Sequence, residues 1–188
     1  VGKPAMRTLH TSLERRMLAI GVDRLDYSKG LPERFQSFGR YLERHPEQKG
    51  TLTYLQIAPV SRGEVNEYQH LRNQLEQIAG HINGRHAEPD WTPLRYVNRN
   101  IPHAMLAGYY RMARIGLVTP LRDGMNLVAK EYVCAQDPEH PGVLILSLLA
   151  GAAYPSRSAV SRPVLLDFLT RFPEPPLYSA LRNFCLSS

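Results

Sequence analysis

The sequence predicts an α/β fold, a Rossmann-like parallel sheet with helices on both faces, and three observations predict it. Short apolar runs typical of buried strands recur along the chain. Between them lie segments whose apolar residues are spaced by three and four positions, as in amphipathic helices. The two kinds of segment alternate, which is the pattern of parallel strands joined by crossover helices.

Each element has a local signal of its own. The strands are short runs rich in aliphatic, β-branched and aromatic residues that end at Asp, Pro or Asn. The expected strands are residues 17–22, 51–57, 94–97, 115–119 and 143–147. The second expected helix begins at Glu64 and is closed by Asn83-Gly84, a pair common at helix ends. The expected helices are residues 31–44, 64–82, 102–112 and a segment from about 127 through 133.

The composition excludes several classes of protein. With 43% hydrophobic and 21% charged residues in 188, the chain is neither disordered nor fibrous. Its longest apolar stretch, residues 143–153, is well short of the roughly 20 residues that span a bilayer. No signal peptide opens the chain, and Cys134 and Cys185 have no metal-ligand spacing. We therefore expect a cytoplasmic protein in which Cys134, within an apolar run, is a packing residue.

The net charge of +6 favours an anionic ligand. Nucleic acid, a membrane surface and a phosphorylated small molecule all fit a basic surplus. The basic residues are scattered and not interleaved with aromatic residues, which favours the small molecule over nucleic acid.

The loop after the first strand, residues 23–30, carries the first candidate site. Ligands of doubly wound sheets bind outside the carboxyl ends of the strands. Arg24 and Lys29 in this loop are placed to converge on a pyrophosphate, and the next helix N-terminus adds a positive dipole end. The alternative is a surface loop in which Arg24 pairs with Asp23 or Asp26.

The loop after the second strand, residues 59–63, places Arg62 just before a helix, where a second anion would bind. In the alternative, Ser61 caps the helix and Arg62 is solvated. The residues alone favour that alternative.

The loop after the fourth strand, residues 121–131, offers groups of a different kind. Asp123 is suited to accept hydrogen bonds from sugar hydroxyls, Gly124 exposes backbone N–H groups, and Glu131 is suited to ribose hydroxyls. Asp-Gly is also a common turn pair, and Lys130 with Glu131 fits an ordinary solvated helix face.

In a fourth loop, residues 98–103, Ile101 is suited to pack beside a nucleotide base and His103 is suited to contact an anion. A single histidine at a helix start is more often structural or solvated.

The chain contains no HExxH, paired cysteines or flanked acidic pair, so no protein-bound metal is expected. It also contains no GxSxG motif, and nucleophilic hydrolysis is unsupported.

Taken together and in this order, the loops resemble the C-terminal domain of trehalose-6-phosphate synthases. Residues 21–34, GVDRLDYSKGLPER, and residues 119–138 carry the likeness most specifically. Residues 56–63 and 91–94 fill the space between them, and the likeness runs from about residue 18 to about residue 153.

The resemblance implies a GT-B glycosyltransferase, with two Rossmann-like domains facing each other across a cleft. The activity it implies moves glucose from UDP-glucose to glucose 6-phosphate with retained configuration, giving trehalose 6-phosphate and UDP. The C-terminal domain binds the donor and a missing N-terminal domain binds the acceptor, so this chain is expected to be inactive alone. No metal or other cofactor is expected, because Arg24 and Lys29 would neutralise the leaving diphosphate.

The resemblance also implies a role for each site residue. Arg24, Lys29 and Asp123 form the implied catalytic group. Arg62 and His103 would contact the acceptor's phosphate, although some relatives carry Arg in place of His103. The implied donor-binding residues are Arg24, Lys29, Ile101, Asp123, Gly124, Met125, Asn126, Leu127, Val128, Ala129, Lys130 and Glu131.

The tail, residues 154–188, departs from the family pattern and contains five prolines among residues 155–176. We expect a donor domain over residues 1–153 and a divergent, poorly ordered or loosely packed tail, explained by a frameshifted or truncated gene.

Three alternative functions remain. They are a related synthase that uses glycerol 3-phosphate, a non-catalytic nucleotide-sugar-binding fragment and a basic nucleic-acid module. The sequence does not decide whether the donor nucleotide is UDP or GDP. It also leaves the oligomeric state open, and a homo-oligomer is possible.

Overall fold

The computed structural model describes residues 3–59, 66–147 and 149–151. Within them lie five strands, five α-helices and two short 3-10 turns, Tyr27–Lys29 and Pro46–Gln48. The strands are β1 Met17–Val22, β2 Leu52–Ile57, β3 Leu94–Val97, β4 Ile115–Val118 and β5 Val143–Leu146. The helices are α1 Lys3–Leu13, α2 Leu31–Arg44, α3 Asn66–His86, α4 His103–Met112 and α5 Leu127–Ala135.

The strands form one parallel sheet in the order β3-β2-β1-β4-β5. β1 pairs with β2 from Met17 opposite Leu52 to Val22 opposite Ile57, and with β4 through Ala19 opposite Ile115. The chain proceeds from β1 outward to β3 and then returns to the other side of β1. The loops after β1 and β4 therefore flank the point at which the strand order reverses, where doubly wound sheets bind ligands.

Helices cover both faces of the sheet, as predicted. On one face α2 and α3 bury Phe35, Leu42, Leu71 and Leu75 against the sheet. On the other, α1, α4 and α5 contribute Leu13, Tyr110 and Tyr132 to a second core. Successive residues of β1 alternate between the two, with Ala19 in the first core and Leu18 and Ile20 in the second. A strand buried on both faces reads as a continuous apolar run, as β1 does.

Three expectations differ from the structure. The helix α1 was not predicted, because its single apolar stripe lies among polar residues without a capping signal. Asn83-Gly84 does not close α3, which continues to His86. The Asn83 side chain donates to Leu94 O at 2.9 Å and accepts from Leu94 N at 3.1 Å, so it fastens the helix to β3 and does not end it. Cys134 is exposed on α5 and is not a packing residue.

The predicted tail, residues 154–188, and Cys185 lie outside the described residues. Within the described residues, no helix is both long and apolar enough to cross a membrane.

Candidate functional site

The loops after β1 and β4 contact each other through their backbones at the carboxyl edge of the sheet. Leu121 N and Arg122 N both donate to Ser28 O, at 2.9 and 3.1 Å. Gly30 has φ +63°, and a Cβ atom there would lie 3.1 Å from Thr119 O. Glycine suits this position for two reasons. It adopts the left-handed conformation readily, and its lack of a side chain leaves room for the loop after β4. The structure therefore brings two of the predicted segments into one place.

Lys29 and Asp123 form an ion pair across this contact, with 2.8 Å between Nζ and Oδ2. Only 11% of the Lys29 side chain and 18% of the Asp123 side chain is exposed. Asn126 Nδ2 also donates to Asp123 Oδ2, at 2.6 Å, and Gly124 N donates to Asp123 Oδ1, at 2.9 Å. Partial burial acts to raise the pKa of Asp123, but the hydrogen bonds from Lys29 and Asn126 prevail and lower it. Asp123 is thus held as a carboxylate.

The lowered pKa of Asp123 leads to a prediction about stability in acid. A carboxylate whose pKa is depressed on folding contributes stability above its ordinary pKa of 3.8 and loses that contribution as pH falls through the folded value. We expect Asp123→Asn to cost about 1–2 kcal/mol of unfolding free energy at neutral pH, because charged hydrogen bonds are lost. The cost should shrink below the ordinary pKa.

Urea unfolding of both chains over a pH series measures this difference. Asp137→Asn is the control, since its pair with Arg111 is exposed. A cost for Asp123→Asn that does not change with pH would contradict the ion pair.

The start of α5 faces the same site. Asn126 has φ +47°, caps the helix, and accepts from Ala129 N through its side-chain oxygen at 3.0 Å. The N–H groups of Leu127 and Val128 have no acceptor among the described residues, as expected for a first helical turn. Free N–H groups and the positive end of the helix dipole make this turn suitable for an anionic or hydroxyl-rich ligand.

Arg24 is exposed and has no ion-pair partner among the residues that the structure describes. Arg24 forms no ion pair with Asp23 or Asp26, although its charge helps to lower the pKa of Asp26. Asp23 instead pairs with Arg34 at 2.6 Å, and Asp26 accepts from Ser28 N at 2.8 Å to cap the turn that follows. The backbone hydrogen bond from Ser28 is the main cause that lowers the pKa of Asp26. Arg24 is therefore an exposed cation in the same loop as the buried Lys29, and the charges of both help to lower the pKa of Asp26.

Glu131 lies farther along α5, where Tyr110 and His103 of α4 face it. Tyr110 Oη donates to Glu131 Oε2 at 3.4 Å, and His103 Nε2 lies 3.5 Å from Glu131 Oε1. Burial, together with the charge of Glu131, raises the pKa of Tyr110. The phenol stays protonated and so orients the carboxylate. His103 itself is 80% exposed.

The remaining predicted residues occupy varied environments. Ile101 is half-buried against the second core, and the Ala129 side chain is fully buried, with its N–H already bonded to Asn126. Met125 and Leu127 are exposed, Val128 and Lys130 half-buried. Arg62 lies outside the described residues, so its role at the acceptor's phosphate stays a prediction.

Sequence reasoning missed two residues that hold the site. Tyr110, which orients Glu131, lies in an aromatic pair of a helix and carries no signal of that role. Arg34 had a partial signal, because Asp23 ends a buried strand and a buried carboxylate needs a cation. The spacing between Asp23 and Arg34 identifies neither partner by itself.

The chain matches known proteins over most of its length. The family model for glycosyltransferase family 20 matches residues 3–160. The chain belongs to glycosyltransferase family 20. The Rossmann-like α/β fold predicted for the donor half of a GT-B glycosyltransferase is confirmed.

Individual members of family 20 match over about a third to two fifths of their own length. The trehalose-6-phosphate synthase of Sinorhizobium fredii is 58% identical over 142 residues, which are 76% of this chain and 31% of the relative. The trehalose-6-phosphate structure from E. coli bound with UDP-2-fluoro glucose is 45% identical with a TM-score of 0.79, covering 97% of this chain and 42% of that one.

A third comparison is with the UDP-forming alpha,alpha-trehalose-phosphate synthase of Burkholderia xenovorans in complex with glucose-6-phosphate. It is 48% identical with a TM-score of 0.81 and covers 98% of this chain and 42% of the other.

No group of three or more His, Cys, Asp or Glu residues that would hold a metal ion occurs in the described part of this family 20 chain. The expectation of metal-independent transfer stays a prediction.

Proposed function

We propose that this chain is the donor-binding half of an enzyme that transfers glucose from UDP-glucose to glucose 6-phosphate, forming trehalose 6-phosphate and UDP. The observation that carries the proposal is the Lys29–Asp123 pair, which joins the cation of one predicted loop to the sugar-binding carboxylate of the other. The comparisons support it, since structures of family relatives contain UDP-2-fluoro glucose and glucose-6-phosphate.

The charges of the site suit the departure of a nucleotide. When the bond from the sugar carbon to the diphosphate breaks, negative charge grows on the leaving oxygen. Arg24 and Lys29, as fixed cations at the diphosphate, would stabilise that charge more in the transition state than in the ground state. Lys29 has three donors, so it can keep Asp123 while it also contacts a phosphate oxygen.

Asp123 is suited to hold the sugar and is a poor nucleophile. Its two oxygens accept from Lys29, Asn126 and Gly124, which stabilise the carboxylate and lower its basicity. We infer that configuration is retained by front-face attack. The acceptor oxygen bonds to the sugar carbon as the bond to the diphosphate breaks, and the acceptor proton passes to the departing phosphate.

The remaining roles follow from position. The free N–H groups of Leu127 and Val128 at the start of α5 would face the donor. Glu131, oriented by Tyr110, would accept hydrogen bonds from the ribose hydroxyls. Ile101 would line the base pocket, while Arg62 and His103 would contact the acceptor's phosphate. The domain boundary near residue 153 and the cytoplasmic location stay predictions.

The test of this proposal uses calorimetry with UDP and UDP-glucose on the chain as it is. We expect binding at millimolar concentration or tighter and no turnover when glucose 6-phosphate is added in a coupled assay, because the chain spans about a third of its relatives' length. A folded sample that binds neither ligand would contradict the donor site. Clear turnover would contradict the requirement for a second domain.

A further inference from the structure

Arg34 lies beneath the two site loops and is completely buried, although it is an arginine within an amphipathic helix. Each of the three nitrogen atoms of its guanidinium group donates a hydrogen bond. Nη1 donates to Asp23 Oδ2 at 2.6 Å and to Gln56 Oε1 at 3.0 Å. A planar guanidinium presents five donors in a fixed fork, so it can hold several groups at once where an ammonium holds fewer.

The other two bonds of Arg34 reach the loops themselves. Nε donates to the Thr119 hydroxyl oxygen at 2.8 Å, and Nη2 donates to Lys29 O at 3.2 Å. Thr119 begins the loop that carries Asp123, and Lys29 is the residue that pairs with Asp123. One side chain therefore fixes both ends of the contact between the loops from below.

The guanidinium group of Arg34 is closely packed. A Cβ atom on Gly21 would lie 2.3 Å from Gln56 Oε1 and 2.9 Å from Arg34 Nη1, so a larger residue there would displace these hydrogen-bonded groups. The Tyr54 hydroxyl donates to the same Gln56 oxygen. Burial acts to lower the pKa of Arg34, but Asp23 raises it, so the guanidinium keeps its charge.

We propose that Arg34 is a positioning residue, which sets the distance between Lys29 and the Asp123 turn and so preforms the diphosphate site. The role rests on the proposed function. Arg34 does not touch the ligand, and Asp23 neutralises its charge. Its effect is to keep the β1 and β4 loops in register before a ligand arrives, which lowers the ordering cost of binding.

The test compares Arg34→Lys with the unchanged chain in two measurements. The first is amide hydrogen exchange of residues 119–126 without ligand, because the Leu121 and Arg122 amides bond to Ser28. We expect about tenfold faster exchange in Arg34→Lys, since lysine cannot hold Thr119 and Lys29 together. The second is the ratio of the Kd for UMP to the Kd for UDP, which should fall about fivefold, because only UDP carries the second phosphate.

A merely structural role would slow or weaken binding of both nucleotides alike and leave that ratio unchanged. Arg72→Lys is the matched control, since its pair with Glu76 is exposed on α3. If Arg34→Lys does not fold, Thr119→Val removes one acceptor of Arg34 alone, and smaller changes in the same direction are expected. Unchanged exchange and an unchanged ratio in a folded variant would overturn the inference. Failure of the unchanged chain to bind UDP would instead contradict the proposed function.

Discussion

Replacing Arg24 by glutamate is expected to raise the Kd of the chain for UDP by about a hundredfold or more, because charged hydrogen bonds are lost and a like charge faces the diphosphate. Arg24 is exposed and unpaired among the described residues, so its removal leaves no buried partner behind. The fold and its thermal midpoint should therefore stay close to those of the unchanged chain. Calorimetric titration with UDP, after a thermal melt on the same sample, measures both.

Arg40→Glu is the control for Arg24→Glu. Arg40 is also exposed but lies in the third turn of α2, away from the carboxyl edge of the sheet. The two variants have the same net charge, so a general effect of charge on UDP would appear in both. Equal weakening by both variants, or undiminished binding by Arg24→Glu, would show that Arg24 does not contact the diphosphate.

Replacing Asp23 by asparagine is expected to lower the free energy of unfolding by about 3 kcal/mol. The substitution keeps the shape of the side chain but leaves the Arg34 guanidinium without its counter-charge. Asp23 and Arg34 are 3% and 0% exposed, so water cannot replace the lost charge. A stability of about 5–15 kcal/mol is usual for a domain, and the loss is a large part of it.

Urea unfolding monitored by circular dichroism measures the effect of Asp23→Asn. Glu76→Gln is the matched control, because it breaks an exposed pair between Arg72 and Glu76 that is worth about 0.5 kcal/mol or less. The two variants change the charge equally. If Asp23→Asn cost no more than Glu76→Gln, the buried pair would contribute little, and the account of Arg34 as a fixed anchor would be weakened with it.

The parallel sheet was predictable because its strands are buried on both faces and read as apolar runs between polar turns. β1 and β2 match their predicted residues to within one position. Helix ends were less predictable where a side chain binds outside its own helix, as Asn83 does with Leu94. Local sequence gives no sign of that contact, because Leu94 lies eleven residues away in another element.

The site was predictable as a set of loops but not as a geometry. Strand order decides which loops meet, and alternation of elements does not reveal it. The contact of Lys29 with Asp123 depends on β4 lying beside β1 and not at an edge of the sheet. The support beneath the loops depends on Arg34 reaching residues from both of them. Neither relation has a spacing that a single sequence displays.

A crystal structure of the chain with UDP-glucose tests the shared site most directly. We expect diphosphate oxygens within hydrogen-bond distance of Arg24 and Lys29, with the sugar against Asp123 and the start of α5. Lys29 should then bridge Asp123 and a phosphate oxygen. A nucleotide bound elsewhere, or one that contacts only one of the two loops, would show that the loops do not form a shared donor site.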